Sequence, residues 1–321
     1  MNMLIARIEN KVFGAVVKDV ELRSVSDSDF SNIHAALLEY GFLVFPSQFL
    51  TKNENISFGE RFGPLEFAAI PFSNAESGKE GSYSKIIDLQ TQRMRINLGN
   101  EAWHTDSTYK PISSKCALLS AVRVPEQGGE TELADARAGY AALSESMRDY
   151  IKTLSAYHST QFSQANDLGD FPIINQDTNF HGEAYLRPLV KTHPETGIRS
   201  LFVARHAFGI PGLSRLESRE LLKKLIEFVV SDQSRVYRHS WQVGDTLLWD
   251  NRCLLHRAMP YDYAKTRVLF GTRVEGDPES ELAYYPSDRE AEAGRKALSV
   301  ELKFLRKEAG NLRYGSTTAN S

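Results

Sequence analysis

A mainly β domain with flanking helices is the fold class this chain predicts, on three observations. Short apolar runs bounded by turn residues dominate the 321 residues, a pattern of many strands rather than of a helix bundle. Only a few stretches carry helical periodicity, the clearest being residues 214–231. With 41% hydrophobic and 25% charged residues, the composition supports one large packed core or two small ones.

The elements follow in order. Residues 11–17 form an early strand, and Asp27 to Tyr40 is helical in pattern. Phe42-Leu43-Val44-Phe45 is a buried-strand run stopped by Pro46. Further strands are expected at 117–124, 131–134, 188–192, 199–204, 235–241, 245–249 and 267–274. In the helix at 214–231, Ser214 and Glu217 make a capping-box pair, and Leu221, Leu222, Leu225, Ile226 and Val229 line one core-facing stripe. Residues 164–182 are polar and poorly periodic and read as a long loop, either a lid or a disordered insertion. After Gly276-Asp277-Pro278 the composition changes. Residues 1–276 are therefore expected to form the main domain, and 277–321 a charged helical extension with sparse apolar positions at Leu298, Val300, Leu302 and Leu305. This tail reads as a packing or dimer-facing appendage, compatible with a homo-oligomer. Residues 315–321 read as disordered.

Charge and composition exclude several partners. A net charge of −3 and a pI near 6.3 give no electrostatic footprint for nucleic acid or an anionic membrane. No apolar run approaches the roughly 20 residues needed to span a bilayer, and the N-terminal residues lack the apolar core of a signal peptide. Two cysteines, Cys116 and Cys253, cannot make a disulfide framework and fit a reducing compartment. A cytoplasmic location is expected.

The chemistry concentrates at His104-Thr105-Asp106, answered far downstream by His256 and Arg267. Among eight histidines a His-x-Asp is common and proves little by itself. On an extended segment, however, residues i and i+2 point the same way, so one strand end offers an imidazole and a carboxylate to one ion. Two imidazoles and one carboxylate form the face that holds non-heme Fe(II) and leaves positions open for a co-substrate and O₂. His256 follows the apolar run Leu247-Leu248-Trp249 and a polar turn, which places it on a sheet. Arg267 opens a strand in which 267, 269, 271 and 273 share a face. An inward arginine is costly unless an anion meets it, and its planar fork suits a carboxylate. Thr131, after Gly128-Gly129-Glu130, offers a hydroxyl to the same anion. A surface charge or an ordinary strand threonine would equally explain each of these two alone.

Taken together, Gly14-Ala15-Val16-Val17, Arg61-Phe62-Gly63, Trp103-His104-Thr105-Asp106-Ser107-Thr108-Tyr109, Gly128-Gly129-Glu130-Thr131, Trp249-Asp250-Asn251-Arg252 and His256-Arg257-Ala258 resemble the taurine and dichlorophenoxyacetate dioxygenase family of Fe(II)/2-oxoglutarate enzymes. They run in order over about 10–276. The resemblance implies a double-stranded β-helix (jelly roll), iron on His104, Asp106 and His256, and 2-oxoglutarate held by Arg267 with Thr131. It implies oxidation of a substrate C–H bond with release of succinate and CO₂. Many relatives carry a second arginine four residues after the first, which grips the substrate anion. Here that position is Gly271 and the next arginine is Arg273, so taurine is expected to be a poor substrate.

Within the family, Leu186-Arg187-Pro188, His193-Pro194-Glu195-Thr196-Gly197 and Arg205-His206-Ala207 most resemble the (S)-phenoxypropionate, dichlorprop-type branch. That implies an aryloxyalkanoate cleaved through hydroxylation at the ether carbon, with Arg95, Asn100 and His206 as substrate-facing candidates. The same core also supports sulfonate cleavage and hydroxylation or desaturation of natural products. Two readings outside the class stand beside these. A metal-dependent hydrolase would need a general base and no Arg267, and a silent jelly-roll binding protein would need no intact triad.

Overall fold

The computed structural model describes residues 3–78, 82–175, 180–284 and 289–315. Its two principal sheets are built from β1 (Leu4–Arg7), β2 (Ala15–Lys18), β3 (Phe42–Phe45), β4 (Leu65–Ser73), β5 (Cys116–Arg123), β6 (Thr131–Asp135), β7 (Val236–His239), β8 (Thr246–Asp250), β9 (Leu254–Ala258) and β10 (Val268–Val274). A seven-stranded sheet has the order β1-β2-β3-β8-β5-β10-β4, and a three-stranded sheet the order β7-β6-β9. Pairing within them is antiparallel except between β2 and β3. The flanking helices used below are α1 (Asp27–Tyr40), α2 (Lys52–Glu60), α3 (Gln92–Gly99), α4 (Thr160–Leu168), α5 (Arg215–Val230) and α6 (Arg289–Gly315).

Side-chain alternation along the central strands explains the layering. Phe42 and Val44 point into a core shared with Ala117, Leu247 and Leu269 of the large sheet and Leu133 and Leu254 of the small one. Leu43 and Phe45 point the other way, onto Ile33, Leu37 and Phe58 of α1 and α2. On the outer face of the small sheet, Ala134, Val236 and Leu255 pack with Leu221, Leu222, Leu225 and Val229 of α5. The order is helix, sheet, sheet, helix. Strands buried on both faces read as continuous apolar runs rather than alternating ones, which is why Phe42–Phe45 stands out in the sequence.

Several expectations hold closely. Helix α1 runs from Asp27 to Tyr40, with Ser26 capping the Asp29 N–H. The capping box Ser214–Glu217 opens α5. β1 at Leu4–Arg7 precedes the strand expected at 11–17, which begins later, at Ala15, as β2. Gly14 ahead of it has φ +86°, and a Cβ there would lie 2.1 Å from the Phe42 ring, so the chain turns where a strand had been read. The 188–192 run is split between the short strands Tyr185–Pro188 and Val190–Thr192.

The loop expected at 164–182 is corrected at its start, where α4 runs through Leu168 and ends on Gly169 in the left-handed region. Residues 176–179 of that stretch, and 316–321 of the tail expected to be disordered, lie outside the described residues. Helix α6 packs inward through Leu298 and Leu305 on Phe162, Ala184 and Phe208, while Val300 stays exposed. Among the described residues no helix is long and apolar enough to cross a membrane.

Candidate active site

His104 and His256 meet through an isolated antiparallel bridge. The His104 N–H donates to the His256 carbonyl at 2.9 Å, and the His256 N–H returns to His104 at 2.8 Å. Their rings stand 4.1 Å apart. The Thr105 hydroxyl donates to the Leu254 carbonyl, tying the same segment to β9. Beyond Asp106 the chain turns through Ser107, φ +55°. The Asp106 N–H donates to Asn251 Oδ1, an oxygen that also accepts from Trp249 Nε1. Asn251 Nδ2 in turn donates to Ser114 Oγ. The turn after β8 thus braces both segments of the site.

One ligand atom from each of His104, Asp106 and His256 lies within 4.8 Å of the others, and all three residues are buried. The donor set fits a metal ion. Burial, reinforced by the neighbouring His256, holds the His104 imidazole well below its ordinary pKa. Burial, then the Arg273 charge, brings His256 down to about 3. Both rings are therefore neutral at physiological pH, with a lone pair to give. His104 Nδ1 sits on the Ala102 carbonyl at 2.8 Å, a contact that fixes the tautomer and leaves Nε2 free to ligate. Asp106 Oδ1 is held by Arg273, but Asp106 Oδ2 is buried with no hydrogen-bond partner. Such an atom is costly unless something meets it.

Two cavities meet at this triad, both lined by His104 and Asp106 and the larger also by His256. The larger, about 810 Å³ to its open mouth, is lined by His104, Asp106 and His256 together with Thr131, Arg267, Asn100, Phe67 and Phe72. Arg267 is buried. Its Nε donates to the Gly129 carbonyl at 2.8 Å, and it makes no ion pair with a carboxylate among the described residues. Burial lowers its pKa, partly offset by Tyr261, Tyr263 and Glu130. Thr131 faces the same space and accepts from Trp241 Nε1. A buried guanidinium with no anion of its own, beside a hydroxyl, fits one carboxylate of a dicarboxylic acid.

The second cavity, about 440 Å³, is lined by His104, Asp106, Asn100, Tyr109, Arg205 and His206 among others. His206 is buried and meets Ser163 Oγ through Nδ1 at 2.9 Å; burial and then Arg205 hold its pKa well down. Asn100 borders both cavities, and its carbonyl accepts from Ala258 N–H.

Arg95 departs from the expectation. Its Nη2 donates to the Leu168 carbonyl, and its Nε lies 3.9 Å from Asp170. It braces α3 against the end of α4 and is not among the residues lining these two cavities. The guanidinium groups at the second cavity are those of Arg205, held by Asp167 and Gln164, and of Arg273, held by Asp106. Sequence reasoning also passed over Tyr261 and Tyr263, whose rings lie 4.4 Å apart, tilted by 42°, beside Arg267; Tyr263 donates to Glu101. The Tyr-x-Tyr placed just before the arginine was the available signal. His193 had no evident partner in the sequence, yet it lies on Asp250 at 3.0 Å, with Arg252 on the same carboxylate.

This fold and donor set define a metal-dependent oxygenase that uses a dicarboxylic co-substrate. The family model described as taurine catabolism dioxygenase TauD, TfdA family, matches residues 5–273, and the chain belongs to that family. It is a 2-oxoglutarate-dependent non-heme iron dioxygenase, with Fe(II) as cofactor and 2-oxoglutarate as co-substrate. It is 45% identical over 275 residues to the (S)-phenoxypropionate/alpha-ketoglutarate-dioxygenase of Sphingobium herbicidovorans, covering 84% of this chain and 94% of that protein. A protein of the same description from Delftia acidovorans is 40% identical over 281 residues, with the same coverage of each. Among solved structures, AAD-2 in complex with Mn(II) and N-oxalylglycine superposes with a TM-score of 0.79 at 33% identity, over 86% of this chain and 98% of that one.

Proposed function

We propose that the chain oxidises the C–H bond beside the ether oxygen of an aryloxyalkanoate, cleaving it to a phenol and a 2-oxo acid. One observation carries the reading. A buried triad with an orphaned carboxylate oxygen sits where two cavities join, and one cavity also holds a buried arginine without an anion. Its similarity to two phenoxypropionate dioxygenases supplies the substrate class.

In this reading His104, Asp106 and His256 hold the iron, and Arg267 with Thr131 holds the far carboxylate of 2-oxoglutarate. When bound, iron with 2-oxoglutarate and O₂ supplies the oxidising power, leaving succinate and CO₂. The chain's own residues orient and exclude. Asn100, which borders both cavities, and His206 flank the substrate where the two cavities meet; Arg205 lies beside them as a cation, and α4 closes the second cavity against water. One oxygen atom enters the C–H bond to give a hemiketal. That species collapses as the ether C–O bond breaks with its electron pair on the phenol oxygen, which takes up the hydroxyl proton. The carbon leaves as the ketone of a 2-oxo acid.

The two facing sheets support reading the architecture as a double-stranded β-helix, or jelly roll, over residues 1–276. Residues 277–321 are then an extension whose helix α6 buttresses α4. The experiment is anaerobic addition of Fe(II) and 2-oxoglutarate, followed by (S)-aryloxypropionates scored by succinate and phenol release. The visible charge-transfer band and one phenol per succinate are expected. Efficient taurine turnover with no phenol from any aryloxyalkanoate would overturn the reading.

A further inference from the structure

Phe67 and Phe72 both line the cavity at the triad, although residues five apart in a regular strand face opposite ways. The reason lies in the pairing of β4 with β10. Gly271 pairs with Ile70 but Arg273 pairs with Phe67, so β4 holds one residue more than its partner over this step, a β-bulge. Ala69, inside the bulge, has φ +40°. Its N–H donates to Thr272 Oγ1 at 2.9 Å, and the Thr272 hydroxyl donates to Asn55, which is fully buried. The bulge is thus pinned from below and turns both rings to one side.

Gly271 makes the room. A Cβ at this position would lie 2.1 Å from Phe72 Cε2 and 3.1 Å from Leu119 Cδ2, so no side chain fits there with the ring in place. The two rings stand 6.2 Å apart at 54°, and the Arg273 guanidinium lies 4.6 Å from the Phe67 centroid. Arg273 is bound to Asp106, so the aromatic wall begins beside the triad.

We propose that Phe67 and Phe72, admitted by Gly271 and turned inward by the bulge in β4, form a subsite for the aromatic ring of the substrate. The inference rests on the aryloxyalkanoate reading and adds the residues that select for a ring. Two flat faces set at an angle suit an aryl group, which packs edge-to-face or offset against them. A small aliphatic acid or sulfonate leaves them in contact with water.

The test compares (S)-2-phenoxypropionate with 2-methoxypropionate, which keeps the carboxylate and ether and lacks the ring. In Phe72→Ala and in Gly271→Ala the KM for the phenoxy acid should rise by about ten-fold, the order expected for losing one ring's apolar contact. The KM for 2-oxoglutarate and the kcat/KM for the methoxy acid should stay within about two-fold. If Phe72→Ala does not fold, Phe72→Leu gives the same comparison. Equal losses on both acids, or a shift that falls on 2-oxoglutarate instead, would overturn the subsite. Binding of each acid is followed separately through the visible band of the anaerobic Fe(II)–2-oxoglutarate protein. Ring-dependent binding without turnover sustains the subsite and sinks the proposed reaction, whereas turnover without ring preference does the reverse.

Discussion

Arg273 Nη2 lies 2.5 Å from Asp106 Oδ1, its Nη1 lies 3.0 Å from Ser107 Oγ, and Asp106 Oδ2 is left without a hydrogen bond, 3.6 Å from His256 Nε2. Glu66, 3.6 Å from the same guanidinium, also takes Ser107 Oγ and Lys110 Nζ. One carboxylate oxygen is anchored and the other faces the histidines. Arg273→Ala should therefore weaken metal binding about 10–100-fold, with Arg273→Lys restoring only part because a point charge replaces a fork. Mn(II) titration followed by electron paramagnetic resonance reads this directly. Unchanged affinity in both variants would show that the pair is structural only.

Replacing His104, Asp106 or His256 with alanine should leave the fold intact, since each sits on a braced strand or turn, and reduce turnover to below about a hundredth. Asp106→Glu keeps charge and alters reach, so it should fall between. Circular dichroism, bound iron and succinate release measure the three quantities. Near-normal succinate formation in two of the alanine variants would remove the metal assignment.

Arg267→Ala should raise the KM for 2-oxoglutarate, with loss of a charge-assisted pair of about 2–4 kcal/mol, and Arg267→Lys should recover part of it. The KM for the organic substrate should move little. Should neither variant depend differently on 2-oxoglutarate, the co-substrate carboxylate is bound elsewhere.

The metal-free protein should lose stability as pH falls below about 6.5. Burial lowers the pKa of His104, His158, His206 and His256 in the folded chain. In the unfolded chain these groups take up protons near 6.5, so between that pH and the folded value, about 3 for His256, the unfolded state binds more protons. Stability then rises with pH by up to about 1.4 kcal/mol per unit for each such histidine. Neither ring nitrogen of His158 has a hydrogen-bond partner, so His158→Phe should flatten the slope while costing little at pH 7.5. Urea midpoints at pH 5.5 and 7.5 decide it; an unchanged slope would mean His158 titrates normally.

The parts of this molecule that were legible in the sequence are those set by local rules. Phe42–Phe45 was readable because burial on both faces leaves an unbroken apolar run, and α5 because Ser214 and Glu217 announce its start. Thr51 and Glu54 carry the same box at α2, a signal present in the sequence and passed over. The triad was visible as chemistry, and the shared face of Arg267, Leu269, Gly271 and Arg273 was legible from strand alternation, but the pairing of Arg273 with Asp106 was not, since it depends on where the distant His104–Asp106 segment lies. The face of Phe72 was hidden by the bulge in β4. Helix α4 escaped notice because Thr160, Gln161, Ser163 and Gln164 are buried polar residues, several of them lining a cavity, so no apolar stripe marks it.

The bridge between His104 and His256 makes the site a product of long-range registration. Thr105 and Leu254 are 149 residues apart in sequence, and slipping β9 by one residue would turn the His256 side chain to the opposite face. Before those strands align, the chain carries only a two-ligand fragment and a lone imidazole. Such contacts close late and slowly, because the loop entropy comes first. Metal capture is therefore a clock for the completed topology, and excess divalent ion during refolding should stabilise the final state without hastening the earlier helical steps.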